Sequence, residues 1–208
     1  MSRAISVTEL LTKRRNIMEF EGAWKRAMGC PELKGSILVW GESGNGKTRF
    51  VLQFCKYLTR FERVLINNFE EGDSETMKRA FIEVGMEEVK NRITFVDSEP
   101  FDEMVDRLEK HKSPNVILID SVQHSGITLD QYRILKRKFP NKLFIYISHN
   151  KGKIPDGAVA NKIRFDSNVK IWVEGFKAFC RSRYGSEEPY TIWEEGAAKY
   201  WMDNVTEE

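Results

Sequence analysis

Gly41-Glu-Ser-Gly-Asn-Gly-Lys47-Thr48 fits G-x-x-x-x-G-K-[ST], directly behind the apolar run Ile37-Leu-Val-Trp40 and ahead of a helical pattern. A phosphate-binding loop occupies this position between strand and helix. Glycines let successive backbone N–H groups curl round phosphate oxygens, where side chains bearing a Cβ would obstruct them. Lys47 then reaches the β and γ phosphates, the Thr48 hydroxyl ligates Mg²⁺, and the following helix turns its positive end toward the anion. The pattern implies a bound nucleoside triphosphate with Mg²⁺. Its contacts fall on Gly41, Glu42, Ser43, Gly44, Asn45, Gly46, Lys47, Thr48 and Arg49.

Outward from this loop, short β-rich runs alternate with amphipathic stretches. Strands are expected near 36–40, 63–67, 92–96, 115–119 and 142–148, and helices near 47–59, 73–85, 101–111 and 128–138. The alternation predicts an α/β fold with a mainly parallel central sheet covered by helices. After Asn168, three short strands (169–173, 178–181 and 190–193) predict an antiparallel C-terminal extension of the sheet. Before the loop, residues 7–28 are spaced like a helix, closed by Gly29-Cys-Pro31. The expected organisation is an N-terminal helical segment over 1–34, the nucleotide-binding domain over 35–202 and a frayed acidic tail over 203–208.

The chain of 208 residues suits one α/β domain. With 41% hydrophobic and 31% charged residues, and no apolar run of bilayer length, its composition is that of a soluble globular protein with no membrane partner. The start of the chain lacks a signal-peptide h-region, and Cys30, Cys55 and Cys180 form neither a C-x-x-C nor an even framework. A cytoplasmic location is expected. Lys and Arg number 33 against 31 Asp and Glu, so any nucleic-acid surface has to be local.

A phosphate loop needs a metal ligand and a group that orients water. Asn115-Val-Ile-Leu-Ile-Asp120 ends an apolar strand in a carboxylate at the sheet's C-terminal edge, where Asp120 can hold Mg²⁺. Arg63-Val-Leu-Ile-Asn-Asn-Phe-Glu70-Glu71 ends another strand in carboxylates. Glu70 either polarises the attacking water or, with Glu71, Asp73 and Glu75, opposes the dipole of the next helix. A fifth strand, Leu143-Phe-Ile-Tyr-Ile-Ser148, delivers His149 to the same edge, where it can feel the γ-phosphate and pass its presence to the following loop.

Together these elements resemble the RecA-like ATPase core, in detail the RadA branch, with KaiC and replicative hexameric helicases as more distant relatives. The resemblance runs from about Gly35 to Gly185. It implies that Glu70 activates water, that Asp120 in Ile117-Leu-Ile-Asp-Ser-Val-Gln123 is the Walker B aspartate, and that Ser148-His149 is the γ-phosphate sensor. The stretch Arg181-Ser-Arg-Tyr-Gly185 is similar to the RadA K-N-R-F-G motif, which implies Arg181 and Arg183 as fingers acting on a neighbouring subunit's nucleotide. The RadA zinc motif and its C-terminal protease-like domain have no counterpart here.

The segment 150–164 reads as a glycine-containing, basic, mobile loop whose Lys151, Lys153, Lys162 and Arg164 suit phosphate neutralisation. Arg133 and Lys136-Arg-Lys138 form a second basic cluster at a helix end, where cations also complement the dipole. The expected function is an oligomeric ATPase, a ring or filament, acting on single-stranded DNA in recombination, repair or replication. The alternative is a KaiC-like regulatory ATPase with a protein partner. Asn150-Lys151 begins a guanine motif, but Lys153 stands where the required aspartate would be, which argues against a GTPase. No arginine-rich lid supports a small-molecule kinase.

Overall fold

In the computed structural model, which describes residues 4–205, the apolar run ahead of the phosphate loop is the centre of a sheet. In chain order the elements are α1 (Val7–Thr12), α2 (Gly22–Met28), β1 (Gly35–Gly41), α3 (Lys47–Leu58), β2 (Val64–Asn68), α4 (Glu75–Val84) and β3 (Ile93–Asp97). A 3₁₀ turn, Met86–Arg92, precedes β3. Then come α5 (Phe101–Glu109), β4 (Val116–Asp120), α6 (Leu129–Lys138), β5 (Leu143–Ser148), β6 (Asn150–Lys151) and β7 (Ile154–Pro155). The chain finishes with α7 (Ala158–Asp166), β8 (Val169–Glu174), β9 (Lys177–Ser182), β10 (Tyr190–Thr191) and α8 (Glu194–Val205).

Eight strands form one sheet in the order β10-β9-β8-β1-β5-β4-β2-β3. The six from β8 to β3 are parallel, and β9 and β10 close the edge antiparallel. Parallel strands covered on both faces require uninterrupted apolar runs, and the inner strands show them. Ile37 and Val39 of β1 face the core under α2, α3 and α4, and Leu38 and Trp40 face the opposite core with α5, α6 and α7. β5 divides its side chains the same way, Ile145 and Ile147 on one side, Phe144 and Tyr146 on the other.

The five expected strands and four expected helices stand within a few residues of their predicted ranges. Four expectations are corrected. Residues 7–28 are not one helix: α1 and α2 flank an extended piece in which Met18 and Phe20 are buried while Ile17 and Glu19 are exposed. Burial at every second residue is strand periodicity, and the backbone binds accordingly, Met18 N–H to Pro31 O and Leu33 N–H to Asn16 O. Secondly, β8 pairs parallel with β1, so the antiparallel extension begins only at β9.

The segment 150–164 is no mobile loop either. It is a hairpin of β6 and β7 followed by α7, whose Ala160 and Ile163 are fully buried one turn apart. Finally, the strand expected over 190–193 stops at Thr191, because Glu194 opens α8, and this helix runs through the start of the expected acidic tail. Residues 206–208 of that tail lie outside the described residues.

The N-terminal segment packs on the body of the sheet. Trp24 stacks on Tyr190 at 4.0 Å and on Phe54 at 5.2 Å, with Phe20 edge-on to Phe54 and Tyr57. By contrast α1 buries no residue, and Val7 and Leu11 are exposed. Among the described residues, no helix is long and apolar enough to cross a membrane.

Candidate functional site

All the strand ends that the sequence marks with polar residues lie on one edge, because β1, β5, β4 and β2 are parallel neighbours. After β1 the chain turns through Gly44 (φ 80°) and Gly46 (φ 92°), both in backbone conformations that glycine takes without strain. Gly46 also caps α3, and a Cβ there would meet the Phe176 ring at 3.1 Å. Asn45 pins the loop from the far side, its Oδ1 accepting the Gly175 N–H at 2.7 Å. Lys47 Nζ donates to Glu42 O at 2.9 Å, inside the loop it belongs to.

Lys47, Thr48, Arg49, Glu70, Glu71 and Asp120 line one cavity of about 690 Å³, together with Phe176 and Trp193. Burial pushes the Lys47 ammonium below its ordinary pKa, opposed by the charges of Glu70, Asp120 and Glu42. Asp120 is 6% exposed, and its carboxyl is pushed up to about 7, by burial first and then by Glu70 and Glu71, while Lys47 pulls it down. These mutual influences place the three groups in one electrostatic neighbourhood.

Two features of the cavity fit a polyanion with its metal. Arg49 Nε is buried with no hydrogen-bond partner among the described residues, while its guanidinium lies over the Trp193 ring at 5.8 Å. A buried donor left unpaired is costly, and a ligand acceptor would satisfy it. Similarly, among the described residues Asp120 Oδ2 receives only a long 3.4 Å bond from Asn68 Nδ2. Its hard oxygens and the Thr48 hydroxyl, which line the same cavity, match the donor preference of Mg²⁺.

Asn68 organises the neighbouring tip. Its Oδ1 accepts the N–H groups of Glu70, Glu71 and Gly72 at 2.9–3.1 Å, which folds the chain after β2 into a tight turn with Glu70 at the cavity. Glu70 Oε2 then lies 3.6 Å from His149 Nε2 and 3.7 Å from His124 Nδ1. The turn after β4 carries His124, whose Nδ1 is 2.9 Å from Ser121 Oγ. Gln123 ties the β4 and β5 tips together: its Nε2 donates to Ser148 Oγ and Asp156 O, and its Oε1 accepts the His149 N–H.

The structure therefore gathers Lys47, Thr48, Arg49, Glu70 and Asp120 round one cavity, with His149 touching Glu70. The arginines are elsewhere. β9 runs antiparallel to β8, so Arg181 pairs with Lys170 and Ser182 with Val169, at the end of the sheet opposite Gly41. Arg181 and Arg183 are exposed there and do not reach the chain's own phosphate loop.

Most of the basic residues on α6 and α7 are engaged within the chain. Lys162 and Lys136 both bind Asp166, at 3.1 and 2.7 Å, Lys138 binds Glu109 at 2.7 Å, and Arg133 binds Asp130 at 2.8 Å. Arg164 lies over the Trp40 ring at 5.5 Å, and Trp40 Nε1 donates to Lys153 O. Lys151 and Lys153 remain as exposed cations at the hairpin.

Three contributors were missed in the sequence: His124, Asn68 and Trp193. A histidine one residue beyond Gln123 was visible, but its meeting with His149 depends on β4 and β5 being neighbours, which no local pattern states. Asn68 was passed over as a strand residue, though two adjacent asparagines in a buried strand signal a structural hydrogen-bonding task.

No family model matches the sequence, and no curated protein matches it. Solved structures do. The chain is similar to the flagellar accessory protein FlaH of Methanocaldococcus jannaschii, with 15% identity over 84% of this chain and 92% of that one and a TM-score of 0.62. It is also similar to a KaiC-like protein of Pyrococcus horikoshii OT3, with 19% identity over 85% and 93% and a TM-score of 0.59. The shared fold is the RecA-like α/β fold, a mainly parallel sheet flanked by helices. The comparisons do not single out its RadA branch.

Proposed function

We propose that this chain binds ATP with Mg²⁺ and hydrolyses it, and that it works as a homo-oligomer. The observation that carries the reading is the convergence of Lys47, Glu70 and Asp120, from three separate strand ends, on one cavity beside the glycine loop. Mg²⁺, when bound, would neutralise charge on the phosphoryl oxygens, with Asp120 and Thr48 as its protein ligands. Lys47 exchanges the Glu42 carbonyl for phosphate oxygens. Arg49 gains an acceptor for its buried Nε, and the Trp193 and Phe176 rings close the cavity's apolar side. Glu70, held by the Asn68 turn, orients water in line with the scissile bond and accepts its proton.

Gln123 gives the site an output. Because it holds the His149 amide and the Asp156 carbonyl at once, a shift of the β5 tip on γ-phosphate loss moves the hairpin that begins at Asn150. We favour a protein partner at that output, the KaiC-like reading, since Lys136, Lys138, Lys162 and Arg164 are already engaged within the chain. Action on single-stranded DNA is the second reading, supported by Lys151 and Lys153. Arg181 and Arg183 can serve a nucleotide only across a subunit boundary.

The test is ATP turnover with and without single-stranded DNA, beside a mass measurement with ATP present. Turnover indifferent to DNA in an ATP-dependent oligomer is expected. Stimulation by DNA selects the second reading, and no turnover under any condition removes the ATPase.

A further inference from the structure

Glu70, His124 and His149 come from the ends of β2, β4 and β5, adjacent strands in the sheet, and they bring three donor atoms almost to one point. Glu70 Oε2, His124 Nδ1 and His149 Nε2 form a triangle with sides of 3.7, 3.6 and 3.5 Å. We propose that this triad is a binding site for a divalent transition-metal ion of the zinc type, separate from the oxygen ligands of the nucleotide's Mg²⁺.

Equal sides are the argument. A shared proton draws two atoms to 2.7–3.0 Å and leaves the third outside, as in any charge-assisted hydrogen bond. Here no side is that short and no atom is left out. A point equidistant from the corners of such a triangle lies about 2.1 Å from each, which is the length of a zinc bond to imidazole nitrogen or carboxylate oxygen.

The donor chemistry agrees. Two imidazoles and one carboxylate suit zinc, and also ferrous iron, whereas Mg²⁺ demands oxygen. The side chains are 33–47% exposed, so a fourth position is open to water. Two of the ligands are also held from behind, the turn of Glu70 by Asn68 and His149 by Gln123 Oε1 at its N–H, while Ser121 Oγ bonds the His124 donor atom itself. Such supports orient metal ligands before the ion arrives, although the Ser121 bond to Nδ1 has to yield to it.

One consequence rests on the proposed ATPase reading. A metal bound to Glu70 Oε2 occupies the lone pair that would take the proton from water, so zinc inhibits hydrolysis.

The experiment has two arms. Equilibrium dialysis of the EDTA-treated, nucleotide-free full chain against Zn²⁺ should give one tight site, weakened at least tenfold in H124A and in H149A and unaffected in K47A. Circular dichroism confirms folding, and E70A serves as a further ligand-loss variant should a histidine variant unfold. Co²⁺ in place of zinc should give a visible spectrum without thiolate charge-transfer bands. Equal zinc affinity in wild type and the folded ligand variants, or sulfur ligation of cobalt, overturns the site.

In the second arm, micromolar zinc should slow ATP turnover of the wild type, each protein being compared with its own zinc-free rate, while H124A loses this sensitivity. Acceleration by zinc, or equal inhibition of H124A, overturns the inhibitory role. A zinc-free wild type with no turnover would defeat the ATPase reading alone, since the dialysis arm decides the metal site without it.

Discussion

Cations are treated in opposite ways at the phosphate-loop edge and along the surface of α6 and α7. At the loop, Lys47 is sunk where burial weakens its charge and its Nζ holds only a carbonyl, while Arg49 keeps a buried Nε unpaired. Along α6 and α7, Lys136, Lys138, Lys162 and Arg133 are exposed, and each is paired with a carboxylate, Lys136 and Lys162 sharing Asp166. The difference separates a site from a surface. A fold that leaves a buried donor unpaired has kept it for a ligand, whereas exposed cations paired in place have little left for a polyanion.

The strongest blow to this contrast is K47A. Removing the ammonium takes away the charge that sits on the phosphoryl oxygens, and turnover should fall at least ~10³-fold with weakened nucleotide binding. Steady-state hydrolysis and fluorescent-nucleotide titration measure the two effects. Retained turnover would mean that the half-buried lysine is structural and that the loop is a glycine turn without a ligand.

Next comes the buried carboxylate. Unfolded, Asp120 titrates near 3.8, and folded, at about 7. Between these values the folded chain holds the extra proton, so stability falls as pH rises, and above about 7 the loss is complete, on the order of 4 kcal/mol. In the ligand-free protein D120N should therefore be the more stable chain at pH 8, with the advantage gone near pH 3. Urea unfolding at the two pH values checks this. An advantage independent of pH would show that the strain at this edge is not electrostatic.

E70Q is a smaller perturbation, since it keeps shape and removes only the basic oxygen. Turnover should drop about 10²-fold with nucleotide affinity unchanged. Normal turnover in E70Q moves the base to Glu71, which the same Asn68 turn holds beside the cavity.

What the sequence disclosed follows the same division between local and non-local causes. The glycine loop, the apolar strands and the aspartate ending β4 are consequences of neighbouring residues, and they were readable in place. Strand order is not local: that β5, β4 and β2 lie side by side decides that His149, His124 and Glu70 meet, and nothing within any one strand announces it. α7 was missed because Gly157 and the lysines look like loop residues, yet Gly157 is the helix cap, and burial of Ala160 and Ile163 outweighs the polar positions between them. The opposite error made residues 7–28 a helix, since an apolar spacing near 3.6 can hide the two-residue alternation of Met18 and Phe20.

The smallest effect should come from the basic side, and it tests the contrast from its weaker end. Lys162 shares Asp166 with Lys136 and Tyr132, so K162A leaves that carboxylate paired and should cost no more than ~1 kcal/mol in urea unfolding. Lys151 and Lys153 are exposed cations at the hairpin, and K151A/K153A should leave ATP turnover within about twofold. Measured as a function of salt, single-stranded DNA retention separates the two readings. A DNA-acting protein would lose about two from its salt slope in that double variant, roughly one for each phosphate contact removed. If the cations of α6 and α7 are already used up inside the chain, the wild type has no such slope to lose, and the hairpin that Gln123 ties to the β4 and β5 tips is free to address a protein instead.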